Sequence, residues 1–319
     1  MIKGRCKIIA VVAFLFFLTF LHSQNFRLSN DWKKYRKDVS LRIGAANFLG
    51  DLGGLDKTGT DFSPIDMEWK TTKVSFSIAY RYKIAKWLNL VFDASYLKVT
   101  GDDKLTKDIY RNNRNLNFKS NIFETAGKLE FSYLRSVIGH RYGLKNTRKK
   151  RMKTKAEEYS LFIGCGGFYF NPKGKDKNGN WVRLHPLHTE GQGLPNGPKQ
   201  YKRVSVCIPV GFSYRVIYSK IWSIGVEFGF RKTFTDYLDD VSTRYYDKKV
   251  LKASYGNKAL EMSDPSLGNI YGATEPDASG LQAQRGDKEK DSYMSLQVSL
   301  GYILKPKRKV RRSRLKSKF

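Results

Sequence analysis

"KVSFSIAYRYKI", residues 73–84, decides the fold. Val74, Phe76, Ile78, Tyr80, Tyr82 and Ile84 fall on one face, and Ser75, Ser77, Ala79 and Arg81 on the other. A period of two held over this length marks a strand with two unlike faces. The same pattern recurs at 88–98, 119–133, 204–216, 222–230 and 292–304, and more weakly at 39–49 and 159–170. The last strand, "SYMSLQVSLGYIL", sets Met294, Leu296, Val298, Leu300, Tyr302 and Leu304 against Ser295, Gln297, Ser299 and Gly301. That makes eight predicted strands. Typical globular strands run about 5–6 residues. Many here reach ten or more, which a tilted strand needs to cross a bilayer.

A soluble barrel or sandwich would turn its apolar face inward and charge its surface. Here the small or charged face is too poor to build a core, and the opposite face is uniformly greasy. The expected fold is therefore all-β: an eight-stranded antiparallel up-and-down transmembrane β-barrel, apolar toward lipid. Closure pairs every backbone group around the ring, and eight is the smallest size for a membrane barrel. Trp87, Tyr96, Trp222 and Tyr302, assigned to strand ends, suit interfacial girdles. The inward set includes Arg42, Arg81, Asp93, Glu124, Lys128, Glu130, Arg215, Glu227 and Arg231. Eight strands leave an interior just wide enough for side chains. Mixed signs there predict a lumen closed by ion pairs, not a porin.

The chain opens with Lys3, Arg5 and Lys7, followed by fourteen uncharged residues at 8–21 and a small residue, Ser23. This reads as a secretory signal peptide, 1–23; the apolar run is shorter than the roughly 20 residues of a spanning helix. Cys6 precedes that run, so it is no lipoprotein acylation site. The expected division is 1–23 signal peptide, 24–38 periplasmic N-terminal segment, 39–304 outer-membrane barrel, and 305–319 basic periplasmic tail.

With the mature N-terminus in the periplasm, the connections 84–87, 135–158 and 218–221 are inside, and 50–71, 100–117, 171–203 and 236–291 are outside. The outer connections carry net −3, +1, +5 and −3. Segment 135–155 and the tail 305–319 each carry nine Lys or Arg and no acid, and 24–38 adds +3. Of the formal +30, the segment before residue 24 holds +3, and +21 of the remainder lies on the periplasmic side. That asymmetry played no part in choosing the strands. It assigns a docking surface to Lys145, Arg148, Lys149, Lys150, Arg151, Lys153, Lys305, Lys307, Arg308, Lys309, Arg311, Arg312 and Arg314. Its partner would be an acidic periplasmic protein, anionic lipid or cell-wall polymer. A solvated, partnerless tail is the alternative. An exported chain excludes a genomic or ribosomal nucleic-acid partner.

Cys165 and Cys207 fall on opposite strand faces, so both are expected as free thiols. His185-x-x-His188 has no nearby Cys and no predicted helix, and reads as loop polarity in place of a metal site. A rim enzyme would have to use His185, His188, Glu190 and Ser205, whose spacing is not diagnostic. No catalytic residue, metal or cofactor is assigned.

Three stretches carry a resemblance: "RIGAANFLGDLGG" at 42–54, "FNPKGKDKNGNWVRLHPLHTEGQGL" at 170–194 and "RKTFTDYLDDVSTRYYD" at 231–247; with the intervening "NLNFKSNIFETAGKLEFSY" at 115–133 they span most of the mature chain. The chain resembles the PorG-like outer-membrane barrels of the type IX secretion system. The matching signature positions are Thr235, Asp236, Tyr237, Leu238, Asp239, Asp240, Val241 and Ser242. The resemblance implies a non-enzymatic eight-stranded barrel beside the periplasmic ring of that machine, built by a lipoprotein and its partner subunit. The machine exports proteins, including adhesins and, in gliding bacteria, motility components. Asp and Ser of the signature are expected to cap a turn or helix at the membrane exit, and loop 236–291 to contact a translocon or cargo. The basic tail has no counterpart in the family pattern. A small outer-membrane barrel of structural or adhesive role stays open, as does, less favourably, a rim enzyme acting on lipid.

Overall fold

The computed structural model describes residues 36–52, 69–137, 155–218, 221–277, 279–287 and 289–304. Eight long strands make the ring: β1 Lys37–Leu49, β2 Lys73–Lys83, β3 Leu88–Asp102, β4 Asn117–Val137, β5 Lys155–Lys175, β6 Val204–Ile217, β7 Trp222–Thr233 and β8 Ser292–Leu304. Each pairs antiparallel with its neighbours in the chain, and β1 closes on β8 from Lys37↔Leu304 to Leu49↔Ser292. The expected fold is the observed one. A short strand, Trp181–Arg183, pairs with the end of β5.

Several strands outrun their sequence limits. The segment placed at 88–98 continues to Asp102, 119–133 spans Asn117–Val137, and 159–170 spans Lys155–Lys175. On the side of the long connections the alternation inverts. Val99, Phe118, Ile122, Phe168 and Phe170 turn inward and are buried, while Lys98, Lys119 and Lys173 turn outward. A search for an apolar exterior stops the strand at that inversion. Tyr96 consequently sits in the middle of β3, facing Phe76 and Phe123 across its two neighbours, and not at a strand end. Trp87 and Trp222 do mark the opposite end, Trp87 stacking on Phe131 at 6.1 Å and Trp222 edge-on to Tyr302 at 5.2 Å.

The wall itself is inside out. Leu41, Ile43, Phe76, Ile78, Phe92, Leu161 and Leu300 are all exposed, while Arg42, Ser77, Arg81, Asp93 and Gln297 between them are buried. Where the long connections begin, an apolar plug fills the ring. It is built from Phe48, Leu52, Leu97, Val99, Leu116, Phe118, Phe168, Phe170, Leu238, Val241 and Tyr293.

Among the described residues, the long connections form a cap that carries two α-helices. α1, Ile109–Arg114, starts at Asp108, which accepts from Arg111 N, and stops at left-handed Asn115 (φ 58°). α2, Lys248–Ser263, was not expected. Asp247 caps it by accepting from the N–H groups of Lys249 and Val250, and Gly256 (φ 82°) interrupts it. Its buried positions, Leu251, Ala259, Met262 and Ser263, are too few and too scattered to draw an apolar stripe in the sequence. Among the described residues no helix is long and apolar enough to cross a membrane; the strands make the crossing.

Candidate functional site

The lumen is packed with charge. All nine side chains expected inside are buried, and Asp38, Lys83 and Glu158 join them. Six bases thus face six acids. Arg42 Nη1 donates to Asp93 (2.8 Å) and Glu227 (2.7 Å), and Lys128 Nζ bridges the same carboxylates at 2.6 and 3.0 Å. Arg81 forks onto Glu130 (2.7 and 2.9 Å) and reaches Asp38 at 3.3 Å. Glu158 holds both Lys83 and Arg215, and Arg215 also pairs with Asp38. Arg231 and the Tyr293 hydroxyl share Glu124 at 3.3 and 3.0 Å. A space of about 10 Å³ beside Arg42, Arg81, Arg215 and Glu227 holds one water at most. Sequence reasoning missed Asp38, Lys83 and Glu158 because each lies at a strand end, where a charge looks solvated.

The signature segment forms the floor of the cap. After β7, Thr235 O accepts from Asp291 N (3.1 Å), and Leu238 N donates to Asp291 Oδ2 (2.8 Å). Tyr237 stacks on Tyr201 with centroids 4.6 Å apart, and Tyr201 stacks on Phe170 in turn. Asp236 accepts from the Ser242 hydroxyl (2.6 Å), and Asp239 from Val241 N (2.9 Å). Asp240 sits in the left-handed region (φ 69°), which Asp tolerates. It accepts from the Thr189 and Tyr201 hydroxyls. Leu238 and Val241 pack into the apolar plug. The Asp and Ser residues thus cap a turn, and not a helix; α2 starts only at Lys248.

Glu190 and Arg285 lock this floor to the rest of the cap. Glu190 Oε1 takes Arg285 Nη1 (3.1 Å) and Ser242 N (2.9 Å), while Arg285 Nη1 also donates to Asp240 O (2.7 Å). Burial works against the Arg285 charge, yet Glu190 and Asp240 raise its pKa above the usual value. Burial lifts Asp240 to about 6 against Arg285 and the two hydroxyls. Burial, and then the carboxylates of Asp291 and Asp51, push Asp239 well above the ordinary range.

The histidines are structural in their contacts. His185 Nε2 lies 3.0 Å from Tyr201 O, and His188 Nδ1 lies 2.7 Å from Gln192 O. His188 also stacks on Tyr255 at 4.3 Å. Glu190 is engaged by Arg285, and Ser205 belongs to β6. Cys165 is exposed and Cys207 buried, both free, as their opposite faces require. The basic docking residues at 145–153 and 305–314 lie outside the described residues.

No family model matches the chain, and no curated protein matches it. Among solved structures it is similar to Neisserial surface protein A, at 8% identity and a TM-score of 0.32, covering 84% of this chain and 97% of that one. It is also similar to Ail, the attachment invasion locus protein of Yersinia pestis, seen with the heparin analogue sucrose octasulfate. There the identity is 8% and the TM-score 0.32, over 84% of this chain and 98% of that one. The class rests on the chain's own geometry. A ring of eight antiparallel strands, apolar outside and ionic inside, is a transmembrane β-barrel of the outer-membrane type.

Proposed function

We propose that this chain is a non-enzymatic, sealed barrel of the type IX protein secretion system. It would tie the periplasmic ring, a lipoprotein and its partner subunit, to the outer membrane. The observation that carries the reading is the lumen, closed by cross-strand ion pairs from Arg81–Glu130 to Arg231–Glu124. A barrel filled in this way conducts no solute and serves as an anchor. The resemblance at 235–242 supports the type IX assignment, since these residues build the cap floor and are under structural demand. In this reading both termini are periplasmic. Lys145 to Lys153 and Lys305 to Arg314 face the ring or anionic lipid, and loop 236–291 faces the translocon.

Affinity purification from outer membrane tests this. Ring subunits should accompany the full chain, and fewer should accompany one lacking 305–319. A folded barrel that brings down no ring subunit overturns the reading. A second reading, a small structural or adhesive barrel, is favoured by Ile109, Tyr110 and Tyr271, which stand exposed on the cap. It requires secretion to persist in a deletion strain while surface attachment falls.

A further inference from the structure

Five carboxylates from three chain segments meet at the cap floor. Asp51 follows β1, Asp236 and Asp239 follow β7, and Asp287 and Asp291 precede β8. Asp239 and Asp291 are 1% and 2% exposed. Asp51 Oδ2 accepts from Asp287 N (3.1 Å), and Asp291 Oδ2 from Leu238 N. Asp239 uses Oδ1 for Val241 N, and its Oδ2 is buried with no partner. Asp236 uses Oδ2 for the Ser242 hydroxyl, and its Oδ1 is likewise buried and unpartnered. Two glycines bring backbone against the cluster: a Cβ at Gly50 would collide with Asp291 Oδ1, and one at Gly286 with Asp51 Oδ2.

The five charges are poorly compensated. Arg114 acts on Asp51 and Lys232 on Asp236. Arg114 is already forked onto Asp103 at 2.8 and 2.9 Å. Glu190 adds a further negative charge near Asp236. Burying like charges without partners is costly, and protons or a cation relieve it.

We propose that this cluster binds a divalent cation of the calcium class, which staples the connection after β1 to both ends of the β7–β8 connection. Calcium takes six to eight oxygens at about 2.3–2.6 Å in adaptable geometry, whereas magnesium demands a near-ideal octahedron. As arranged here, no three of these side chains form a ready ligand set among the described residues. Asp239 Oδ2 and Asp236 Oδ1, buried without a partner, are the oxygens left to take up the ion. Carboxylates from loops joined only through the fold suit an irregular, adaptable site.

The test uses the full chain purified in detergent at pH 8, with Tb³⁺ as the luminescent probe and Tyr237, next to Asp236, as its sensitiser. The signal should saturate, be displaced by Ca²⁺, weaken at least tenfold in Asp239→Asn, and be unchanged in Glu261→Gln on α2. A folded wild type without a saturable signal, or an Asp239→Asn signal equal to it, overturns the proposal. A heat-modifiable gel shift reports folding. Should Asp239→Asn not fold, amide exchange of 236–242 and 286–291 in the wild type decides. Protection that rises with Ca²⁺ supports the site, and protection that follows pH alone overturns it.

Discussion

β3 passes through two environments within one strand. From Leu88 to Tyr96, Leu88, Leu90, Phe92 and Tyr96 point outward, and Asn89 and Asp93, with Val91 between them, point into a largely ionic lumen. From Leu97 to Asp102 the faces exchange roles: Leu97 and Val99 are buried inside, and Lys98 and Thr100 point out. β4 and β5 make the same exchange around Ile122 and Phe168. The backbone is unchanged; only the location of water differs. In the membrane wall the dry side is outside, so charged groups turn inward and must be paired. In the cap wall water is outside again, and apolar packing fills the ring.

The largest test of this comparison is Glu158→Ala, which strips Lys83 and Arg215 of a buried partner. Removing one member of a buried pair costs about 3–5 kcal/mol, measurable by urea unfolding in detergent micelles. A loss under about 1 kcal/mol, the value of exposed pairs, would mean that water reaches the lumen and that the sealed wall is wrong.

In the cap half, Leu97→Ala removes a fully buried side chain from the plug. A loss of about 3 kcal/mol is expected, with amide exchange rising first in the cap. Exchange rising first in the ionic wall would erase the distinction between the halves.

The boundary itself is located by arginine. Phe92→Arg, on the outward face midway between Leu88 and Tyr96, should cost about 2–3 kcal/mol, as charges do near a bilayer midplane. Thr100→Arg, on the same face two turns of the pleat beyond Tyr96, should cost close to nothing. Equal costs would place Thr100 in the hydrocarbon too.

The smallest effect expected is the response of the cap to pH in the presence of a chelator. Asp51 and Asp236 have pKa values raised in the folded state to about 8 and about 7. The unfolded chain releases these protons near 4, so the folded state holds more protons between those limits. The cap's stability is therefore fully present below about pH 4 and declines as pH rises through 7 and 8. The protection factors of 236–242, corrected for base-catalysed intrinsic exchange, should fall by up to about tenfold per pH unit there, while those of the β3 wall amides stay unchanged. A cap that tightens with rising pH would reverse the sign and remove the case for crowded carboxylates.

The wall was legible because a period of two is a local property. Val74 to Ile84 shows its two faces without any other strand, and the nine inward charges follow from parity alone. The inverted ends of β3, β4 and β5 were not legible, since the same parity carries the opposite chemistry there. α2 escaped because it buries only Leu251, Ala259, Met262 and Ser263. The signature 235–242 was recognised as a stretch, but its task was not: its partners Glu190, Arg285 and Asp291 lie 52, 45 and 53 residues from the groups that they hold.

By itself, then, the sequence determined an inside-out barrel, because strand alternation and residue chemistry are both written along the chain. Tertiary structure alone decided which charges meet. Arg42 finds Glu227 across 185 positions, and Asp51 reaches Asp287 across 236. No pattern in the chain encodes such distances. They follow from closing the ring, which sets the register of every strand and brings distant loop ends to one floor.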